Sequence, residues 1–298
     1  MVPQLIYPDL INPGPRIFEQ GALQPDDILA FDRMAADAWP APYVTNLDGW
    51  ALRYGEGVSR RANSVAPWPS TTGGHALIDQ IEAAERFYQD RNLPPRFQVS
   101  PAAEPDALDE ELSIRGYEIE APVTLMIADV HDVIKNTVDD APMTQVSGTA
   151  PDGWWNLYVE GFNRDASKVI SGATDCPQFA TAIDSSDDTG VGIGLGVLNN
   201  AGWLGIFGMW THPERRSQGI GADMLRALAQ ATIDNGAIGL YLQVERSNSG
   251  AQRLYQRLGF RPLYGYYYRT LWPLRPTTMT LTIKIPLAIS CKPFRSKI

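Results

Sequence analysis

The chain has 298 residues, 44% of them hydrophobic and 20% charged, the composition of a globular protein long enough for two domains that each bury a core. No run of 18 apolar residues occurs, and the start from Met1 to Pro8 has neither a basic segment nor a sustained apolar one, so the expected location is cytoplasmic with no membrane partner. A net charge of −9 argues against binding a nucleic-acid backbone and favours a cationic ligand, while two cysteines, Cys176 and Cys291, and three scattered histidines offer neither a disulfide framework nor metal-ligand spacing.

Residues 1–24, rich in proline and glycine, read as an irregular arm. Asp26 and Asp27 open a helix whose Ile28, Phe31, Met34, Ala35 and Ala38 form one apolar stripe, and Pro40 and Pro42 stop it. Strands are expected at 49–53 and 62–66. A helix at 76–90, with Ile78, Ile81, Ala84 and Tyr88 along one face, precedes a short strand at 97–100, a helix at 106–116 and a strand at 122–128. The polar stretch 131–153 is a linker candidate.

Beyond it the pattern predicts a helix at 154–162 and strands at 179–183 and 191–198. The turn Asn199 to Gly202 then leads into a strand from Trp203 to Trp210. The next helix places Ile220, Met224, Leu228 and Thr232 on one face and stops at Asn235-Gly236. An apolar strand at 238–244, a helix from Ser249 to Leu258 and a tyrosine-rich strand follow. Residues 273–298 hold five basic residues and no acid, and 278–289 alternates like an extra edge strand of unknown role.

The stretch Thr211-His212-Pro213-Glu214-Arg215-Arg216-Ser217-Gln218-Gly219-Ile220-Gly221 joins a strand directly to a helix. Backbone N–H groups at a helix start have no intrahelical partner, and glycine lets a ligand approach them. Arg216 adds a charge-assisted contact, so the stretch has the make-up of an anion site. Arg215 reads as solvated. Asn248 fits the N-cap of the 249–258 helix, on which Ala251, Leu254, Tyr255 and Leu258 share a stripe.

Arg216-x-x-Gly219-x-Gly221 followed by Asn248-x-x-Ala251-x-x-x-Tyr255 and Gly259-Phe260 resembles, in order and spacing, the motifs of the acetyl-CoA-dependent GNAT acetyltransferase superfamily. The resemblance implies an α+β (mixed α/β) fold. The order strand, helix, Phe97-Gln98-Val99, then Leu108 to Tyr117 repeats as strand, helix, Leu242-Gln243-Val244, then Ala251 to Phe260. Two GNAT-like units are therefore expected, each a twisted, mostly antiparallel sheet flanked by helices. The first, residues 25–135, is a degenerate copy with Pro67 to Gly74 in place of the glycine loop and Leu112 in place of Tyr255; the second, 136–272, is the catalytic unit, and 273–298 is an extension.

The resemblance also implies the chemistry. Acetyl-CoA would be the acetyl donor, its pyrophosphate held by Arg216 and the amides of Gln218, Gly219, Ile220, Gly221 and Ala222. Its pantetheine would run along the backbone of Met209, Trp210 and Thr211 and meet Asn248. Tyr255 would be the catalytic acid that protonates the leaving thiolate as a small-molecule or peptide amine attacks directly. Glu245, Asp184, Glu160 and His212 remain open as a general base, and none is assigned. Tyr264, Tyr266, Tyr267 and Tyr268, with Trp154 and Trp155, either line an acceptor pocket or fill the sheet. An acyl-CoA-binding sensor without turnover and a transferase of longer acyl groups are the competing functions; acceptor and oligomeric state are not selected.

Overall fold

A computed structural model describes residues 23–70, 76–137, 143–172, 175–184, 186 and 189–273. Most of the expected arm, the strand expected at 278–289 and Cys291 lie outside the described residues. The first half comprises α1 (Pro25–Ala38), β1 (Tyr43–Leu47), β2 (Trp50–Tyr54), β3 (Val65–Pro67), α2 (Leu77–Gln89), β4 (Arg96–Val99), α3 (Leu108–Ile114), β5 (Glu118–Asp129) and α4 (Val130–Lys135). The second comprises β6 (Thr144–Ser147), α5 (Trp154–Phe162), α6 (Ser167–Ile170), β7 (Cys176–Ile183), β8 (Gly190–Leu198), β9 (Trp203–Thr211), α7 (Ile220–Ile233), β10 (Gly239–Glu245), α8 (Ser249–Arg257) and β11 (Arg261–Thr270).

The strands form one continuous sheet in the order β1-β2-β3-β4-β11-β5-β10-β9-β8-β7-β6. At its centre the halves exchange strands. β11, from the end of the described chain, lies antiparallel between β4 and β5, while β5, from the first half, lies antiparallel between β11 and β10. The repeat is visible on either side: β3 and β4 are parallel, as are β9 and β10, and each pair is joined by a helix, α2 or α7.

The repeated helices also end alike. Gly116 and Gly259 both take left-handed φ, at 84° and 96°. Tyr117 N–H donates to Leu112 O and Phe260 N–H to Tyr255 O, both at 3.0 Å, the C-terminal closure that glycine permits. Leu112 and Tyr255 thus occupy matching places.

Alternation along the strands sorts side chains between the two faces. Val123, Leu125 and Ile127 of β5, with Trp203 and Phe207 of β9, Tyr241 of β10 and Tyr264, Tyr266 and Tyr268 of β11, build a core under α1, α5 and α6. Met126, Leu204, Ile206, Leu240, Leu242 and Val244 face α7 and α8 instead. Pro25 and two first-turn acids start α1, and its Phe31 meets Trp203 and Tyr241 edge-on at 4.9 and 5.8 Å, so a helix of the first half roofs the second.

Two local expectations need correction. The stretch read as a linker at 131–153 contains most of α4 and all of β6. Asp129 caps α4 by accepting His131 N–H at 2.8 Å, and β6 is a polar edge strand whose Thr-Gln-Val-Ser sequence shows no apolar alternation to betray it. Ile78, placed on the apolar face of α2, is exposed. Leu77 packs inward there, with Ile81, Ala84 and Tyr88.

A buried carboxylate ties α1 to both halves. Asp32 accepts hydrogen bonds from Ser100 Oγ at 2.5 Å and Tyr264 Oη at 2.8 Å, yet burial outweighs them and lifts its pKa to about 6. Asp37 also rises to about 6, through burial and then repulsion from Asp175. A carboxyl with a raised folded pKa binds more protons folded than unfolded. Its contribution is full below the unfolded value, near 4, and is lost as pH rises through about 6. The stability of wild type relative to Asp32→Asn is therefore expected to fall by roughly 2 kcal/mol between pH 4.5 and 7.5 in urea titrations. A constant difference across that range would remove Asp32 as a titrating group.

Candidate active site

β9 keeps its parallel partner only from Trp203 to Ile206, opposite Gly239 to Leu242; beyond Ile206 it parts from β10. On its other side, pairing with β8 slips so that Gly208 and Met209 stand against Gly194 alone. Gly208 has φ +55°, and a Cβ there would lie 3.3 Å from the Tyr158 ring, so the slip favours glycine. Past this bulge, β9 presents backbone to a gap instead of a strand.

The gap opens into a cleft of about 500 Å³. Ile206 to Met209 form one wall, Leu242 to Glu245 the other, and Asn248 and Tyr255 stand beyond β10. The first half supplies Trp39, Ser59, Arg60 and Arg61, while Tyr266 and Tyr268 come from the exchanged strand β11. Ile206 and Tyr255 belong to the α7 face of the sheet and Phe207 and Tyr266 to the α1 face, so the cleft passes between the faces. In the first half, beyond the β3–β4 pairing of Val65 with Phe97, Glu104 of the loop after β4 donates its N–H to Pro67 O at 2.8 Å.

The loop from β9 to α7 begins with a 3-10 turn at Pro213–Arg215, capped by His212 Nδ1, which accepts Glu214 N–H at 3.4 Å. Arg216 is exposed and donates from Nε to Thr211 O at 3.3 Å; Gln218 donates from Nε2 to Glu214 O at 3.3 Å. Gly219 is the N-cap at φ +85°, with open space where a Cβ would be. Ala222 N–H already donates to Gly219 O at 2.9 Å, which leaves Ile220 and Gly221 as the first-turn amides with no preceding helical carbonyl to serve. A second cavity, of about 330 Å³, lies here between α7, α8 and the end of α4, lined by Gln218, Gly219, Ile220, Leu254 and Arg257. Arg257 was not anticipated from the sequence.

Trp210 and Thr211 serve mainly as scaffold through their side chains and backbone respectively: the Trp210 ring packs over Gly161 of α5, and Thr211 O holds Arg216. Asn248 caps α8 through its side chain, which accepts Ala251 N–H at 3.1 Å. Tyr255 is 8% exposed and packs against Phe260 at 5.6 Å. Burial alone pushes its phenol up to about 12, and its hydroxyl bonds to no other described residue.

Two of the candidate carboxylates are paired with arginines. Asp184 is buried and paired with Arg215, so Arg215 is an ion-pair partner and not a solvated residue. Glu245 pairs with Arg60, and Glu160 lies 3.7 Å from His212. Of these only Glu245 lines the cleft. Tyr266 and Tyr268 do line it, Tyr264 serves Asp32, and Trp154 is buried in the core with its Nε1 donating to Ala180 O at 3.1 Å. Among the described residues no cluster of His, Cys, Asp and Glu is arranged to hold a metal, and no helix is long and apolar enough to cross a membrane.

Residues 26–269 match the family described as probable histone acetyltransferase Rv0428c C-terminal. The chain is 32% identical over 251 residues to Uncharacterized N-acetyltransferase YobR of Bacillus subtilis (strain 168), covering 82% of this chain and 98% of that protein. It is 25% identical over 252 residues to Probable histone acetyltransferase Rv0428c of Mycobacterium tuberculosis (strain ATCC 25618 / H37Rv), covering 83% and 74%. Among solved structures, a GCN5-related N-acetyltransferase from Kribbella flavida aligns with a TM-score of 0.59 at 16% identity over 81% of this chain and 93% of its own. A tandem GNAT protein from the clavulanic acid biosynthesis pathway aligns at 0.53 and 11% over 65% and 69%, a likeness of fold. The chain belongs to the Rv0428c C-terminal acetyltransferase family, and is a GNAT-type acyltransferase.

Proposed function

We propose that the second half, residues 136–272, is an acetyl-CoA-dependent N-acetyltransferase and that residues 25–135 form a degenerate unit that binds no coenzyme A. The observation that carries this reading is the parting of β9 from β10 beside an uncapped helix start. The residues fit the donor: the amides of Gly219, Ile220 and Gly221, with Arg216 and Gln218, suit its phosphates, and the backbone edge from Gly208 to Trp210, which has no β10 partner, suits its amide-bearing arm. Asn248 and Tyr255 complete the cleft wall. When bound, the donor supplies an activated acetyl thioester.

The chain's own part is then threefold. The cleft walls align an amine with the thioester, the β9 bulge turns backbone N–H groups toward the carbonyl oxygen, and Tyr255 Oη holds a proton for the leaving sulfur. Cys176 is exposed and stands opposite Leu198, at the end of β8 away from the β9 bulge, so transfer is assigned as direct. The pairing of Glu245, the one candidate carboxylate that lines the cleft, with Arg60 favours, as the second reading, an acyl-CoA-binding sensor.

Calorimetry with acetyl-CoA is expected to give one site per chain, and an amine panel is expected to show acetyl-CoA consumption. Binding without consumption on any amine moves the assignment to the sensor. Two sites per chain would refute the degenerate first half.

A further inference from the structure

The cleft carries polar groups that neither the donor's phosphates nor Tyr255 explains. Three arginines line it, Arg60, Arg61 and Arg164, against one acid, Glu245. Arg60 is matched by Glu120 and Glu245, and Arg164 donates to the carbonyls of Val58 and Phe162. Arg61 has neither kind of partner among the described residues. Its guanidinium lies over the Phe207 ring, 5.2 Å from the centroid, and its Nε is buried without a hydrogen bond. A second orphan lines the same cleft: Gln243 Oε1 is buried and unpartnered.

Both orphans lie on the α1 side. Gln243 follows Tyr241 by two residues on β10 and so shares its face, and Phe207 belongs to the same core. The helix start assigned to the phosphates lies on the opposite side, among α7, α8 and α4. Leaving a buried donor and a buried acceptor unmatched is costly unless a ligand meets them. A planar guanidinium held over an aromatic ring can take a carboxylate through two parallel bonds, and an amide oxygen accepts from an amine N–H.

We infer that the acceptor carries a carboxylate close to its amine, with Arg61 binding the carboxylate and Gln243 Oε1 the amine N–H. Trp39, Tyr158, Phe162 and Phe207 around them suit an apolar or aromatic side chain, the preference of an amino-acid-like molecule. This rests on the N-acetyltransferase reading and narrows its substrate class. It also reverses the cationic ligand suggested by net charge, because the acids lie elsewhere and the cleft is locally basic.

The test pairs aromatic and aliphatic amino acids with their carboxamides. kcat/KM is expected to be about 10²-fold or more higher for the free carboxylate. Arg61→Gln should abolish that preference mainly through KM, Arg61→Lys should restore part of it, and Gln243→Leu should weaken both members of a pair. In calorimetry, N-acetyl amino acids should bind the wild type in the presence of coenzyme A and lose about 10² in affinity with Arg61→Gln, while coenzyme A affinity is unchanged. Amines acetylated without regard to a carboxylate, or an Arg61→Gln enzyme that keeps the preference, overturn this inference and leave the N-acetyltransferase standing. A protein that binds coenzyme A, acetylates nothing and takes up no N-acetyl amino acid overturns both.

Discussion

Replacing Tyr255 by phenylalanine is expected to lower kcat by about 10² to 10⁴ with acetyl-CoA affinity almost unchanged, the loss typical of removing a general acid. The ring would stay where it is, buried against Phe260 and among Leu258, Met126 and Val244. Its hydroxyl bonds to no described residue, so no protein contact is lost and stability should hold within about 0.5 kcal/mol. The pH profile supplies a second readout. An acid works while protonated, and burial keeps this phenol protonated to about 12, so wild-type kcat should climb as the amine loses its proton and show no falling limb below pH 10. Full activity in the phenylalanine variant on a confirmed acceptor would reduce Tyr255 to a packing residue.

Gly221→Asp is expected to abolish measurable acetyl-CoA binding, a fall of at least about 10²-fold, because it sets a carboxylate beside the amides assigned to the pyrophosphate. The fold should tolerate it. A Cβ at Gly221 meets only Leu254 Cδ2, at 3.0 Å, the movable end of a side chain, and an acid in a first helical turn favours the helix. Lost binding with an unchanged melting curve is the expected pair of results. Unaltered affinity in the folded variant would place the phosphates elsewhere.

Most of the regular elements, and the turn that opens α7, were legible in the sequence because their signals are local. The stripe on α7, the αL closure at Gly259 and the cap at Asn248 each depend on residues within a turn or two, and the matching closure at Gly116 made the repeat detectable. Exchange of β5 and β11 was not legible, since both strands read alike whether they pair within their own half or with the other. Arg61 and Gln243 were hidden for a related reason. They lie far apart in sequence, and only the sheet brings Arg61 over Phe207. β6 escaped because four polar-leaning residues give no period to count.

The strand exchange also sets a clock on the newborn chain. β5 ends at Asp129, but the partners that flank it, β10 and β11, are complete only at Glu245 and Thr270. At elongation speeds of about 5 to 20 residues per second, roughly 6 to 23 s pass with both edges of β5 open, and its β11 edge waits roughly 7 to 28 s in all. During that interval any other open edge, in a neighbouring nascent chain as much as in this one, competes for the same hydrogen bonds. Synthesis rate and ribosome spacing therefore bear on the yield of this protein more than on one whose halves each finish their own sheet.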